Sequence, residues 1–167
     1  MLPKHKEQRV IVLIDVQNLY YSARNLYSTK VNFQEILKKA VSGRKLVRAF
    51  AYVVRTKTGE EKPFFKALTS LGIETRVKDL QEFYGGEKKA DWDVGLVIDA
   101  VRASNSVDAV ILCSGDGDFV PLVDYLKNQG KRIEAIAFEK TTSSKLREAV
   151  DEFTDIGEKP KTFLLGK

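Results

Sequence analysis

Two aspartates, Asp116 and Asp118, flank a single glycine in SGDGDF (Ser114 to Phe119), directly after the apolar run Ala109 to Cys113. Carboxylates held that close repel by about 4 kcal/mol at ~4 Å under an effective dielectric of ~20. A solvated loop gains nothing from this arrangement, whereas a cation site does. Two more acids occupy comparable places: Asp15 closes the aliphatic run VIVLID, and Asp93 follows Trp92 at the head of an amphipathic segment. The lone cysteine, Cys113, lies inside an apolar run and reads as a core residue, and the lone histidine, His5, lies in the N-terminal arm. The donor set is therefore all oxygen, which suits Mg²⁺ or Mn²⁺ and disfavours Zn²⁺.

An ion held by Asp15, Asp93, Asp116 and Asp118 would activate water and stabilise charge on a phosphoryl group, so phosphodiester hydrolysis is the chemistry these residues suit. Asn18, three positions after Asp15, can serve as a neutral ligand or as a donor to phosphate. Ser114, Gly115 and Gly117 are candidates for substrate contact, the glycines through positive φ, close backbone approach, or N–H groups offered to an anion. Lys89, beside Lys88, is a candidate phosphate contact, and Tyr20, Tyr21 and Tyr84 are candidates for stacking on bases. Asp99 lies six residues past Asp93 and faces elsewhere on a helix by about 120° or more. Each acid also has a structural reading: Asp15 as a turn-former, Asp118 as a cap for a helix starting at Phe119, and Asp91 or Asp93 as a cap after Trp92. Their joint occurrence at successive element ends favours a metal site.

Positioning these groups requires strands that end together. Arg9 to Asp15 and Asp108 to Cys113 have the unbroken aliphatic character of strands covered on both faces. Lys45 to Val54, Ile73 to Val77 and Arg132 to Phe138 read as further strands. Helices are expected over Gln17 to Leu26, Phe33 to Val41, Glu60 to Leu71, Asp91 to Val101, Phe119 to Asn128 and Ser143 to Val150. In the fourth of these, Val94, Val97, Ile98 and Val101 are the expected sheet-facing stripe. Gln81 to Lys89, with Gly85-Gly86, reads as an exposed loop or hairpin tip. The alternation predicts an α/β three-layer sandwich with a mostly parallel central sheet. In such a sheet ligands bind beyond the carboxyl ends of the strands where strand order reverses, so the four acids converge if the first strand neighbours the Cys113 strand.

The 167 residues suit one domain, expected over 1–157, with 158–167 either a C-terminal tail or a segment that docks elsewhere. No apolar run is long enough to span a bilayer, and the basic N-terminus lacks a secretory pattern, so a cytoplasmic protein with no membrane role is expected. The net charge of +5 favours a polyanionic partner, weakly on its own.

Taken together, IDVQN (Ile14 to Asn18), KADWDVGLVIDA (Lys89 to Ala100), SGDGDF and SKLREAVDEF (Ser144 to Phe153) resemble the motifs of the NYN domain, the LabA-like branch of the PIN-like nuclease superfamily. The resemblance implies a PIN-like, Rossmannoid fold, an acidic cluster binding Mg²⁺ or Mn²⁺, and action on RNA. Asp15, Asp93, Asp116 and Asp118 match the family's acidic positions and Asn18 its polar one. Asp91 competes with Asp93 for the second position; Asp93 is chosen because it directly precedes the apolar VGLVI face. The implied function is a metal-dependent ribonuclease, an endoribonuclease by class, although the residues leave endo and exo cleavage open. The alternative is a non-catalytic RNA-binding or regulatory module. A phosphatase using Asp15 as nucleophile is disfavoured because Gln17 stands where that pattern has a second Asp. Pairing into a homodimer is a further partner arrangement left open.

Overall fold

The computed structural model describes residues 3–82, 88–89 and 92–166. Its main sheet has six strands, all parallel: β1 (Arg9–Asp15), β2 (Lys45–Arg55), β3 (Glu74–Asp79), β6 (Ala109–Cys113), β7 (Arg132–Ala137) and β8 (Glu152–Asp155), in the spatial order β3-β2-β1-β6-β7-β8. Two short strands, β4 (Gln81–Glu82) and β5 (Lys88–Lys89), pair antiparallel in a separate ribbon, as a hairpin would. The helices are α1 (Val16–Tyr27), α2 (Phe33–Val41), α3 (Lys62–Ser70), α4 (Asp93–Ser104), α5 (Val120–Asn128), α6 (Ser144–Ala149) and α7 (Pro160–Phe163).

The aliphatic strands are buried on both faces because alternate side chains enter different cores. From β1, Val10, Val12 and Ile14 pack with Leu19 and Ala23 of α1, Ile36 and Ala40 of α2, and Leu68 of α3. Ile11 and Leu13 point the other way, to Leu96 and Ala100 of α4, Val123 and Leu126 of α5, and Leu146 of α6. Two helical layers thus enclose one sheet, as expected. Among the described residues, no helix is long and apolar enough to cross a membrane.

The setting of α4 corrects the expected stripe. Val97 and Val101 pack against the core as expected, beside Leu96, Ala100 and Ala103, whereas Val94 is 74% exposed and Ile98 45%. Polar anchors fix the rotation: Asp99 accepts hydrogen bonds from the Tyr52 hydroxyl at 2.9 Å and Arg76 Nε at 3.1 Å, and Trp92 Nε1 donates to the Val53 carbonyl at 2.9 Å. Alanines at the contact let the helix approach the sheet, a choice that a count of branched side chains misses.

At the opposite, amino-terminal edge of the sheet lies a buried ion-pair network. Glu134 of β7 accepts from Arg44 Nη1 at 2.7 Å and Nη2 at 2.9 Å, and from Arg132 Nε at 2.9 Å.

The last residues dock. Phe163 and Leu164 are buried in the core beneath α1 and α2, the Phe163 carbonyl accepts from the Asn32 N–H at 2.8 Å, and the Leu165 N–H donates to the Lys30 carbonyl at 2.8 Å.

Candidate metal centre

β1 and β6 are neighbours, with Ile14 opposite Cys113, so the chain segments leaving both strands emerge at one edge. Here the strand order reverses, since β2 follows β1 on one side and β7 follows β6 on the other. Asp15 ends β1 and caps α1, its Oδ1 accepting from the Asn18 N–H at 3.2 Å. Its other oxygen accepts from Ser114 Oγ at 2.9 Å. Asp116 begins a 3₁₀ turn (Gly117–Phe119), with Oδ1 accepting from the Asp118 N–H at 2.9 Å. Asp93 is the first residue of α4, where the helix dipole favours a carboxylate, and Trp92 holds the cap position. Asp118 precedes the Phe119 cap of α5 and does not serve as that cap.

Oxygens of Asp93, Asp116 and Asp118 all lie within 4.8 Å of one another. Asp93 and Asp116 are half-buried and Asp118 is exposed. This trio differs from the expected sharing of one ion by Asp15, Asp93 and Asp116: Asp15 lines the same cavity but stands outside the tight group. The cavity, ≈ 530 Å³, is walled by Asp15, Asn18 and Tyr21 from the first helical junction, by Trp92 and Asp93 from α4, and by Asp116 and Asp118. Among the described residues, neither Asp116 nor Asp118 has a cationic partner.

Three hard oxygens at this spacing fit a hard dication. With a mutual spacing up to 4.8 Å, each can reach a central Mg²⁺ at about 2.0 to 2.1 Å after small side-chain adjustment. Three protein oxygens leave octahedral positions for water and substrate.

The substrate candidates have more structural duties than expected. Asn18 Oδ1 accepts from the Gly115 N–H at 2.9 Å, so that amide serves the scaffold and is not offered to an anion. Ser114 is fully buried; besides bonding Asp15, its Oγ accepts from the Asp116 N–H at 3.2 Å. Gly115 and Gly117 do not have positive φ. They are glycines because the loop after β7 crosses them: a Cβ on Gly115 would come within 2.6 Å of Thr142 Oγ1, and one on Gly117 within 2.7 Å of Ser143 Oγ. The Ser143 N–H also donates to the Gly115 carbonyl at 3.0 Å. The close approach is thus to the protein itself, correcting the expectation of positive φ at both glycines and of a free amide at Gly115.

Lys89 lies on β5 opposite Gln81; Tyr84 and Asp91 fall outside the described residues. Tyr21 is 52% exposed at the cavity wall, and its ring meets that of Tyr20 edge-on at 5.3 Å. Cys113 is buried, and burial pushes its thiol pKa up, away from nucleophilic use. Asn25 and Thr141 also wall the cavity and were not singled out from sequence. For Asn25 a signal existed, because it follows Asn18 by seven residues and Tyr21 by four on one helical face; Thr141 comes from a distant loop and had none.

A parallel α/β sandwich with clustered acids at its switch point defines a PIN-like domain. The NYN domain family matches residues 9–157, and the chain belongs to that family. It is similar to the low amplitude and bright protein LabA of Synechococcus elongatus, 26% identical over 168 residues, covering 92% of this chain and 86% of that protein. It is also similar to a protein of unknown function from Vibrio parahaemolyticus, whose crystal structure matches with a TM-score of 0.87 at 31% identity, covering 98% of this chain and 100% of that one.

Proposed function

We propose that this NYN domain is a metal-dependent ribonuclease that hydrolyses RNA phosphodiester bonds at the Asp93–Asp116–Asp118 cluster, in the cytoplasm. The observation that carries the reading is the meeting of three carboxylates, from a helix start and a strand-end loop, within 4.8 Å. Mutual repulsion among them is relieved by a dication, and a binding pocket for a polyanion gains nothing from bare carboxylates. The choice of RNA is supported by the family resemblance and the net charge of +5. All the groups invoked come from one chain, so the reading requires no partner copy.

Asp93, Asp116 and Asp118 would hold Mg²⁺ or Mn²⁺, which when bound supplies an activated water and screens phosphoryl charge. The remaining roles belong to the chain. Ser114 and Asn18 brace the Asp116 loop against β1, keeping the cluster formed in advance of substrate. Asp15, held on both oxygens, orients water entering beside the cluster. The half-exposed Tyr21 ring offers a face to a base.

The test is cleavage of labelled single-stranded and structured RNAs with Mg²⁺, Mn²⁺ or EDTA, comparing the wild type with Asp116→Asn. Cleavage that needs metal and is lost in the variant supports the reading. Activity indifferent to both chelator and mutation refutes it. Tight binding without turnover on any substrate favours the non-catalytic module instead.

A further inference from the structure

A second cavity, ≈ 720 Å³, adjoins the metal centre and is walled by Tyr20, Arg24, Asn25, Ser28, Thr29, Lys30 and Leu165. Its volume falls in the usual range of about 300 to 1,000 Å³ for ligand sites. The two cavities are consecutive along α1. Asn18, Tyr21, Ser22 and Asn25 repeat at helical spacing and face the acidic cavity, while Tyr20, Arg24 and Ser28 form the adjacent row and face the other. Asn25 borders both, and the Tyr20 and Tyr21 rings touch, one on each side of the divide.

The charges differ sharply. The first cavity carries four carboxylates; the second has none, and presents Arg24 and Lys30 instead. Neither cation forms an ion pair with a carboxylate among the described residues. The far wall is made by the docked C-terminus, where Thr29 Oγ1 donates to the Leu165 carbonyl at 2.5 Å and the Leu165 N–H donates to the Lys30 carbonyl at 2.8 Å. Leu165 nonetheless stays 47% exposed, giving the cavity an apolar side opposite Tyr20.

We propose that this second cavity is a strand subsite, in which Arg24 and Lys30 hold a phosphate neighbouring the scissile one and Tyr20 with Leu165 flanks its base. The inference rests on the nuclease reading and deepens it by naming the substrate as an extended single strand that continues past the point of cleavage. Two cations beside an aromatic face are what binding of a single strand without sequence preference requires. A duplex, whose bases are stacked inward, cannot use the Tyr20 face. Separation along α1 between Asn18 and Arg24 is about 9 Å at 1.5 Å per residue, so the same strand reaches both cavities.

The test separates binding from cleavage by working in EDTA. Anisotropy of a labelled oligoribonucleotide of about 8 nucleotides is measured against salt for the wild type, for Arg24→Gln and Lys30→Gln singly and together, and for Lys30→Arg. We expect the double variant to bind roughly tenfold or more weakly, and its salt slope to fall by about 0.7, the value for one phosphate contact on a single strand. Lys30→Arg retains affinity. Thermal melting shows whether each variant is folded, and the single variants carry the test if the double one is not. Undiminished affinity and slope in folded variants overturn the subsite, even where metal-dependent cleavage is intact. Loss of affinity with no cleavage under any metal leaves the subsite standing while the nuclease reading fails. A free mononucleotide that binds through Arg24 and Lys30 while the oligonucleotide does not makes the cavity a small-molecule site and also overturns the proposal.

Discussion

The Gly115 N–H donates to Asn18 Oδ1 at 2.9 Å across 97 residues of chain, tying the acidic loop of β6 to the first turn of α1. Gly115 is buried, so the bond has no ready replacement by water. Asn18→Ala should therefore cost about 1 to 3 kcal/mol through an unsatisfied buried donor. It should also lower metal-dependent cleavage, because the Asp116 loop loses its brace. Urea unfolding and cleavage assays check both; equal stability in the variant would show that the loop is held elsewhere.

The metal reading makes a prediction independent of any RNA. Mg²⁺ or Mn²⁺ should raise the melting temperature of the wild type, since a ligand that binds only the folded state stabilises it by about 2.7 kcal/mol at 100 times its Kd. Asp116→Asn keeps a capping oxygen for the 3₁₀ turn yet removes a charge. The variant should be at least as stable as wild type without metal, and should lose the metal-induced rise. A metal-induced shift of the same size in both proteins would place the ion away from this cluster.

Trp92 is the only tryptophan, and so reports on the setting of α4 by its own fluorescence. Its ring folds back over Gly95, where an added Cβ would meet ring carbons at 2.6 and 2.8 Å. Gly95→Ala should displace the ring, weaken the bond from Nε1 to the Val53 carbonyl, and shift the emission spectrum. Because Asp93 is the next residue, metal affinity should fall alongside. Unchanged emission with unchanged metal binding would refute this coupling.

Acid stability depends on Glu134. Burial alone pushes its carboxyl pKa up, but hydrogen bonds from Arg44 and Arg132 outweigh burial and hold it below the ordinary 4.5. A depressed folded-state value means that the carboxylate's contribution is fully present above about 4.5 and is lost as pH falls through that lower value. Glu134→Gln should cost about 3 to 5 kcal/mol near neutrality, because the Arg44 guanidinium stays buried without its carboxylate, whereas Arg132 keeps its pair with Glu152. Its stability should also fall less steeply than the wild type's below pH 4.5. Denaturant midpoints across pH measure both effects.

Much of this architecture is legible in the residues. The strand Arg9 to Asp15 and the helix Phe33 to Val41 match β1 and α2 residue for residue, because aliphatic runs and capped stripes are local signals. The meeting of Asp93 with Asp116 and Asp118 follows from two ingredients, element ends and sheet order, and only the first is local. What stayed hidden depends on contacts between distant segments. The rotation of α4 is set by Tyr52 and Arg76, so a stripe counted along the helix alone picks Val97 and Val101, which pack on the core, but also Val94 and Ile98, which lie outside. The purpose of Gly115 and Gly117 is hidden for the same reason, since Thr142 and Ser143 come from another loop. Asp15 is the instructive case: correctly placed at the rim, it has both oxygens engaged by neighbours of its own chain.

The order in which the sheet is assembled has a bearing on protein synthesis. Ser114, which grips Asp15, follows it by 99 residues, and the Thr142 loop that clamps Gly115 comes later still. While the polypeptide emerges from the ribosome, Asp15 waits 99 residues for Ser114, and the Asp116 loop is clamped only after Thr142 and Ser143 have followed. If the proposed nuclease activity is demonstrated, this order keeps it silent toward the messenger and ribosomal RNA around the nascent chain.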